Sequence, residues 1–366
     1  MAGRIVLFGA TGYTGRLTAE ALAARGARPL LAARNEERLR SLADELGGGF
    51  DVAVADVARP DSVRDLVERG DVLVSTVGPF ARWGDPAVEA AIATGAHYID
   101  SNGEPAFIRR VFERFGPGAE AAGCGLVTAF GYDWVPGNLA GALALREAGD
   151  AAVRVAIGYY AIGRSQFSGG TQASAAGALA EPAFAFRGGM LQTERGAKRV
   201  ANFMVEGERR PGISVGSSEH FGLPRVAPGL REVDVYLGWF GPMSRPMQVG
   251  AAVTAAATRI PGVKTGLNAL TARVSKGSTG GPGAEERGES RSYVVAQALD
   301  AGGTCLAEVR IEGVNGYDFT ARMIAWGAER AAASGLEGTG ALGPVDGFGL
   351  DELERGAAEA GLARAG

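Results

Sequence analysis

Hydrophobic and polar positions alternate in blocks along the first third of the chain. Ile5, Val6, Leu7 and Phe8 form a continuous apolar run, the pattern of a strand buried on both faces. A helical stripe follows over Gly12–Arg25, with Leu17, Ala21 and Leu22 on one face. "ARPLLAA" then reads as a second strand, and "NEERLRSLADEL" as a helix through Leu39, Leu42, Ala43 and Leu46. The pairs continue as "FDVAVADV" with "RPDSVRDLVERG", then "DVLVSTVGPF" with "GDPAVEAAIATG", before the strands "AHYID" and "GLVTAFG". This order predicts a doubly wound parallel sheet of Rossmann type, whose ligands gather at the carboxyl ends of the strands.

Past Gly149 the alternation stops, and a second α/β domain with a largely antiparallel sheet is expected. "VRVAIGYYAI", "REVDVYLGWF", "SRSYVVAQALD" and "GGTCLAEVRIEG" read as its strands, the last two as a hairpin across Asp300–Gly303. "SGGTQASAAGALAE" reads as a loop opening a helix capped by Ser168 or Thr171. The expected division is 1–148, 149–314 and 315–366.

Gly9, Gly12 and Gly15 fall between the first strand and first helix. Glycine allows the tight turn, a close backbone approach to a pyrophosphate, and close packing of helix on strand. Thr11, Tyr13 and Thr14 complete that turn, whose helix start offers free amides to phosphate. At the end of the second strand stands Arg34, with no acid before Glu36. A cation there suits a 2′-phosphate, so NADP is expected, NADPH in preference to NADH, with Asn35 and Arg38 assisting. Asp56 and Val57 are placed beside the adenine, or Asp56 at a helix entry. Val77, Gly78 and Pro79 are placed under the nicotinamide ribose.

Composition narrows the chemistry. The chain has 366 residues, 46% of them hydrophobic, and a net charge of −4, with no basic footprint for nucleic acid. Two cysteines, Cys124 and Cys305, point to a reducing, cytoplasmic setting, and neither a leader nor a transmembrane segment is expected. "VGAAVTAAATRIPGV" is short and alanine-rich and reads as a buried helix rather than a membrane-surface one. His97 and His220 are far apart, so no metal site is expected. None of Lys198, Lys264 and Lys276 follows a tyrosine by four residues, which excludes the Tyr-x-x-x-Lys short-chain dehydrogenases.

"GATGYTGRLTAEAL", "STVGPFARWGDPAVEAAIATGAHYIDSNGEPAF" and "GYDWVPGNLAG" resemble the saccharopine dehydrogenase-like oxidoreductases. Within them the chain looks most like the trans-acting enoyl reductases of polyketide lipid synthesis. "SGGTQAS" and "EGVNGYDFTARMIAWGAE" extend the likeness, while residues 190–260 resemble little. The resemblance implies C-terminal helices that return to the first domain.

Hydride transfer to an enoyl group needs a proton donor near the cofactor. Tyr132 is the first choice, with Asp133 orienting it or capping the next helix. Tyr98, Glu104, Trp134, Ser168 and Thr171 are the expected substrate contacts. No assembled group of Arg or Lys stands at the strand-end loops to meet a polycarboxylate substrate, and Phe80, Trp83, Tyr132, Trp134, Tyr159, Tyr160 and Phe167 suggest an apolar acyl or ring-containing one. The expected function is NADPH-dependent enoyl reduction of a small-molecule or acyl-carrier-bound, lipid-like intermediate. Imine or amine oxidoreduction and a non-catalytic nucleotide sensor or scaffold stand as alternatives. "RRVFERF" and "ERGAKRV" offer basic faces to an acidic carrier, or are solvated helix faces. The second domain would carry substrate or the partner of a homodimer.

Overall fold

The computed structural model describes residues 3–164, 182–257 and 280–365. They divide into two units. The first comprises the described residues of Met1–Gly103, Phe107–Val135 and Val314–Ala363. The second comprises those of Glu104–Ala106, Pro136–Gly313 and Arg364–Gly366.

In the first unit β1 (Ile5–Phe8), β2 (Leu30–Ala33), β3 (Val52–Val54), β4 (Val72–Ser75), β5 (His97–Asp100) and β6 (Gly125–Val127) are parallel. With β15 (Gly340–Ala341) they form a seven-stranded sheet ordered β15-β6-β5-β4-β1-β2-β3. The order reverses between β1 and β4, which creates the crevice where such sheets hold ligands. Helix α1 (Tyr13–Ala24) buries Gly15, Thr18, Ala19 and Leu22 at helical spacing. It packs on the long helix Gly316–Ser334, which buries Phe319, Met323, Ile324 and Trp326. Full burial of each such large apolar side chain contributes about 1.5–3 kcal/mol.

Helix α2 (Glu36–Glu45) is close to its expected range, whereas "RPDSVRDLVERG" is helical only over α3 (Pro60–Arg64). The chain then tightens, Leu66 and Val67 donating three residues back. The Asp71 carboxylate accepts from Glu68 N at 3.0 Å and from Arg4, drawing the chain out of the helix.

The second unit's sheet uses β7 (Arg154–Gly163), β8 (Pro182–Arg187), β9 (Met190–Arg195), β10 (Val200–Val205), β11 (Glu208–Ser214), β12 (Glu232–Leu237), β13 (Ser290–Leu299) and β14 (Cys305–Gly313). Among these eight strands every pair is antiparallel except β12 with β7. The hairpin across Asp300–Gly303 is present, its Asp300 carboxylate accepting from Gly302 N and Thr304 N. Tyr160, Phe203, Tyr236 and Tyr293 pack together on one face. Tyr159, on the other, lies beneath helix α8 (Val135–Ala148). Both tyrosines are core, because strand alternation turns one into each face of a covered sheet.

The helix Ser244–Ala257 contains the start of the stretch read as a buried helix; Val249 there is 63% exposed, and residues 258–263 of that stretch lie outside the described residues. No helix among the described residues is long and apolar enough to cross a membrane.

Candidate active site

The turn after β1 is shaped by contacts that only glycine permits. Gly9 has φ +92°, and its N–H donates to Ala32 O at 2.8 Å. A Cβ on Gly9 would lie 2.7 Å from Thr76 Oγ1 and 2.9 Å from Val77 Cγ2. One on Gly15 would lie 2.1 Å from Gly9 O. At Gly12 the nearest atom would be 3.3 Å away, and this glycine faces solvent. Gly12 caps α1 without a side chain, and the first turn holds no acid. The start of α1 therefore receives no carboxylate from its own sequence, and its dipole favours an external anion. Thr76 Oγ1 donates toward Gly9 O at 3.1 Å, which locks the loop after β4 to the turn after β1. Val77, Gly78 and Pro79 lie in that second loop, Gly78 exposed. A tight glycine turn leading into a helix start with free amides is what a dinucleotide's diphosphate needs, so the residues present fit such a cofactor.

Arg34 follows β2 directly, is exposed, and makes no ion pair with any described residue. Arg40 pairs with Glu36 at 2.6 Å and Arg16 with Glu20 and Glu45, whereas Arg38, also exposed, makes no ion pair with any described residue. Asn35 spends its side-chain oxygen on the α2 cap, accepting from Arg38 N at 2.8 Å. Asp56 accepts from Ala58 N at 3.0 Å and so holds its own turn, with Val57 half-buried beside it.

The loops after β5 and β6 are joined by Asp100. Its carboxylate accepts from Ala129 N at 2.7 Å, Thr128 Oγ1 at 2.8 Å and Asn102 N at 2.9 Å, and its carbonyl accepts from Phe130 N at 2.8 Å. Burial lifts the Asp100 carboxyl to about 6 against these donors. Ala129, held at φ +61°, accepts from Trp134 N at 2.9 Å and so closes the loop. Trp134 is buried, and Tyr98 is wholly enclosed in the sheet, where burial raises its phenol well above the ordinary range. Glu104 is buried just before the helix Pro105–Arg110.

Tyr132 and Asp133 sit at the tip of this loop. Tyr132 N donates to Thr320 Oγ1 at 2.9 Å, and a Cβ on Gly316 would lie 2.9 Å from the Tyr132 ring. Asp133 makes no hydrogen bond or ion pair among the described residues, and its Oδ1 is shut off from solvent. A Cβ on Gly103 would lie 2.7 Å from Asp133 Oδ2, so the carboxyl rests against that glycine. Burial alone pushes it up to about 7, with no charged group contributing. Asp133 therefore exchanges a proton near neutrality.

The cofactor turn and this loop meet the same helix start. Tyr317 packs edge-on against Tyr13 of α1, with ring centroids 5.3 Å apart, while Gly316 and Thr320 touch Tyr132. The structure thus gathers the turn at Gly9–Gly15, the loop at Val77–Pro79 and Tyr132–Asp133 within one unit. Tyr317, Gly316 and Thr320 were not foreseen as site residues. Their signal was Asn315, which caps the helix by accepting from Tyr317 N and Asp318 N. Ser168, Thr171 and Phe167 lie outside the described residues.

The two basic segments are occupied internally. Arg110 and Arg114 pair with Asp85, Arg109 with Glu113, and Lys198 and Arg199 with Glu194.

Residues 5–123 match the family model described as the saccharopine dehydrogenase NADP binding domain. A trans-acting enoyl reductase of Mycobacterium leprae is 41% identical over 140 residues, which are 37% of this chain and 34% of that relative. One from Mycobacterium ulcerans is 39% identical over the same length, with the same coverage. The matched segment thus spans about a third of the length of these curated relatives. Among solved structures, the apo saccharopine dehydrogenase (L-Glu forming) of Saccharomyces cerevisiae matches with a TM-score of 0.57 and 14% identity, covering 99% of each chain. That likeness is one of fold. Residues 5–123 are thus similar to an NADP-binding domain of the saccharopine dehydrogenase type.

Proposed function

Taking that NADP-binding domain as the premise, we propose that the protein is an NADPH-dependent reductase of a carbon–carbon double bond conjugated to a thioester. The observation that carries this reading is Asp133, a half-buried residue whose Oδ1 is closed to solvent, on a loop that shares its supporting helix with the dinucleotide turn. The backbone amides at the start of α1 hold the diphosphate, and Arg34 binds the 2′-phosphate through its forked donors. NADPH, when bound, supplies hydride to the β-carbon of the substrate.

The electron pair displaced from the double bond collects on the α-carbon and the thioester oxygen. Asp133, holding a proton near neutrality, delivers it to the α-carbon and is left as carboxylate. Solvent protons restore it after product leaves. Asp133 takes the donor role in this reading, and Tyr132 forms the wall beside it. The enoyl substrate is favoured over an imine by the curated relatives, which are trans-acting enoyl reductases. Their name also suggests delivery on a carrier protein.

Substrate-dependent oxidation of NADPH tests the proposal. An α,β-unsaturated pantetheine thioester should be reduced to the saturated thioester, with one NADPH consumed per product. Consumption with a cyclic imine and none with the thioester would transfer the reading to imine reduction. Cofactor binding without turnover of either would support the sensor alternative.

A further inference from the structure

The loop Thr128–Trp134 is fixed from two directions. Asp100 grips its first half through the hydrogen bonds to Thr128, Ala129 and Phe130. Its second half depends on the helix Gly316–Ser334, nearly two hundred positions away in the chain. Thr320 Oγ1 accepts the Tyr132 N–H at 2.9 Å, while Gly316 leaves the gap that the Tyr132 ring fills. The first turn of this helix also carries Tyr317, packed on Tyr13 at the start of α1. One helical turn therefore touches both the cofactor turn and the residue next to Asp133.

We propose that Thr320 and Gly316 are positioning residues for the reaction. They hold the Tyr132–Asp133 peptide at a fixed offset from the dinucleotide turn, so that the Asp133 carboxyl faces the reacting carbon. The proposal rests on Asp133 as proton donor. Thr320 acts through one hydrogen bond to a backbone amide, and Gly316 through the side chain it lacks. A merely structural role for the helix would place its weight on Phe319, Ile324 and Trp326, which fill the core, rather than on these two.

The test compares Thr320→Val, Thr320→Ser and Gly316→Ala with the wild type. Valine keeps the shape of threonine and removes the acceptor that Thr320 offers the Tyr132 N–H; serine keeps the acceptor. The expected result is a fall of about tenfold to a hundredfold in turnover of the thioester for Thr320→Val, the scale of a misplaced catalytic group. Affinity for NADPH should remain within about twofold, because the phosphate cradle is untouched. Thr320→Ser should recover most of the turnover, and Gly316→Ala, pressing on the Tyr132 ring, should resemble Thr320→Val.

A second readout needs no turnover. Trp134 is bonded to Asp133, so the fluorescence titration that disappears in Asp133→Asn reports this carboxyl. Thr320→Val should shift that midpoint and Thr320→Ser restore it. Wild-type midpoints in Thr320→Val and Gly316→Ala, or equal shifts in valine and serine variants, would overturn the proposal. Should the wild type reduce no probe, the reductase reading fails, and the titration still decides whether Thr320 positions Asp133.

Discussion

A carboxyl group with no donor nearby ionises reluctantly, and Asp133 Oδ1 is such a group. Its affinity for a proton is higher in the folded chain, at about 7, than in the unfolded chain. The native state then binds more protons than the unfolded state between the ordinary aspartate range and about pH 7. Stability arising from this group is fully present at low pH and is lost as pH rises through that window. Thermal melts should show Asp133→Asn gaining on the wild type from pH 5 to pH 8; parallel curves would contradict the burial argument. As proton donor, the same residue predicts turnover falling above about pH 7, and a loss of about 10²–10⁴-fold in Asp133→Asn. Arg34 allows a separate test. Removing a charge-assisted phosphate contact costs about 1.5–3 kcal/mol, so Arg34→Ala should weaken NADPH about tenfold or more and leave NADH nearly unchanged. Equal losses in a binding titration would remove the 2′-phosphate assignment.

The elements of the first unit were legible because their signals are local. The apolar run of β1, the helical stripe of α1 and the glycines between them each lie within one window of sequence. Gly15 shows what that turn demands: its absent Cβ would press on Gly9 O at 2.1 Å. Gly15→Ala should abolish NADPH binding and lower the melting temperature; normal binding would mean that the turn is not the cradle. In the second unit β8–β11 escaped notice, since their charged residues obscure alternation. Their turns were readable nonetheless. Gly188 and Gly189 have φ +59° and +81°, and Glu206 and Gly207 +51° and +81°, the two-residue hairpin form. Helix α8 illustrates a contact that sequence conceals, because a Cβ on Gly137 would lie 2.2 Å from Tyr159 Oη and 2.3 Å from Glu219 Oε1. Those hydrogen-bonded groups meet only on folding, at 2.7 Å. Gly137→Ala should lower the melting temperature by several degrees, a cost of about 1–3 kcal/mol for overpacking; an unchanged melt would mean that Tyr159 and Glu219 shift freely.

At the scale of the molecule, the Rossmann-type sheet with a second, largely antiparallel sheet was foreseen in kind. The part of the site that depends on distant chain was not. Asp100, at the end of β5, binds the entire start of the loop after β6, a role that no local pattern reveals. Thr320 and Gly316 reach Tyr132 from the far end of the chain, and no periodicity or spacing brings such positions together. The aromatic residues of β7 suggest a pocket from the sequence, and folding buries both Tyr159 and Tyr160. The phosphate cradle is common to every part of this account. Calorimetric titration of the full chain with NADPH tests it most directly. Saturable binding to one site per chain, lost in Gly15→Ala and weakened in Arg34→Ala, is the predicted result. No heat of binding, or binding indifferent to both substitutions, would contradict it.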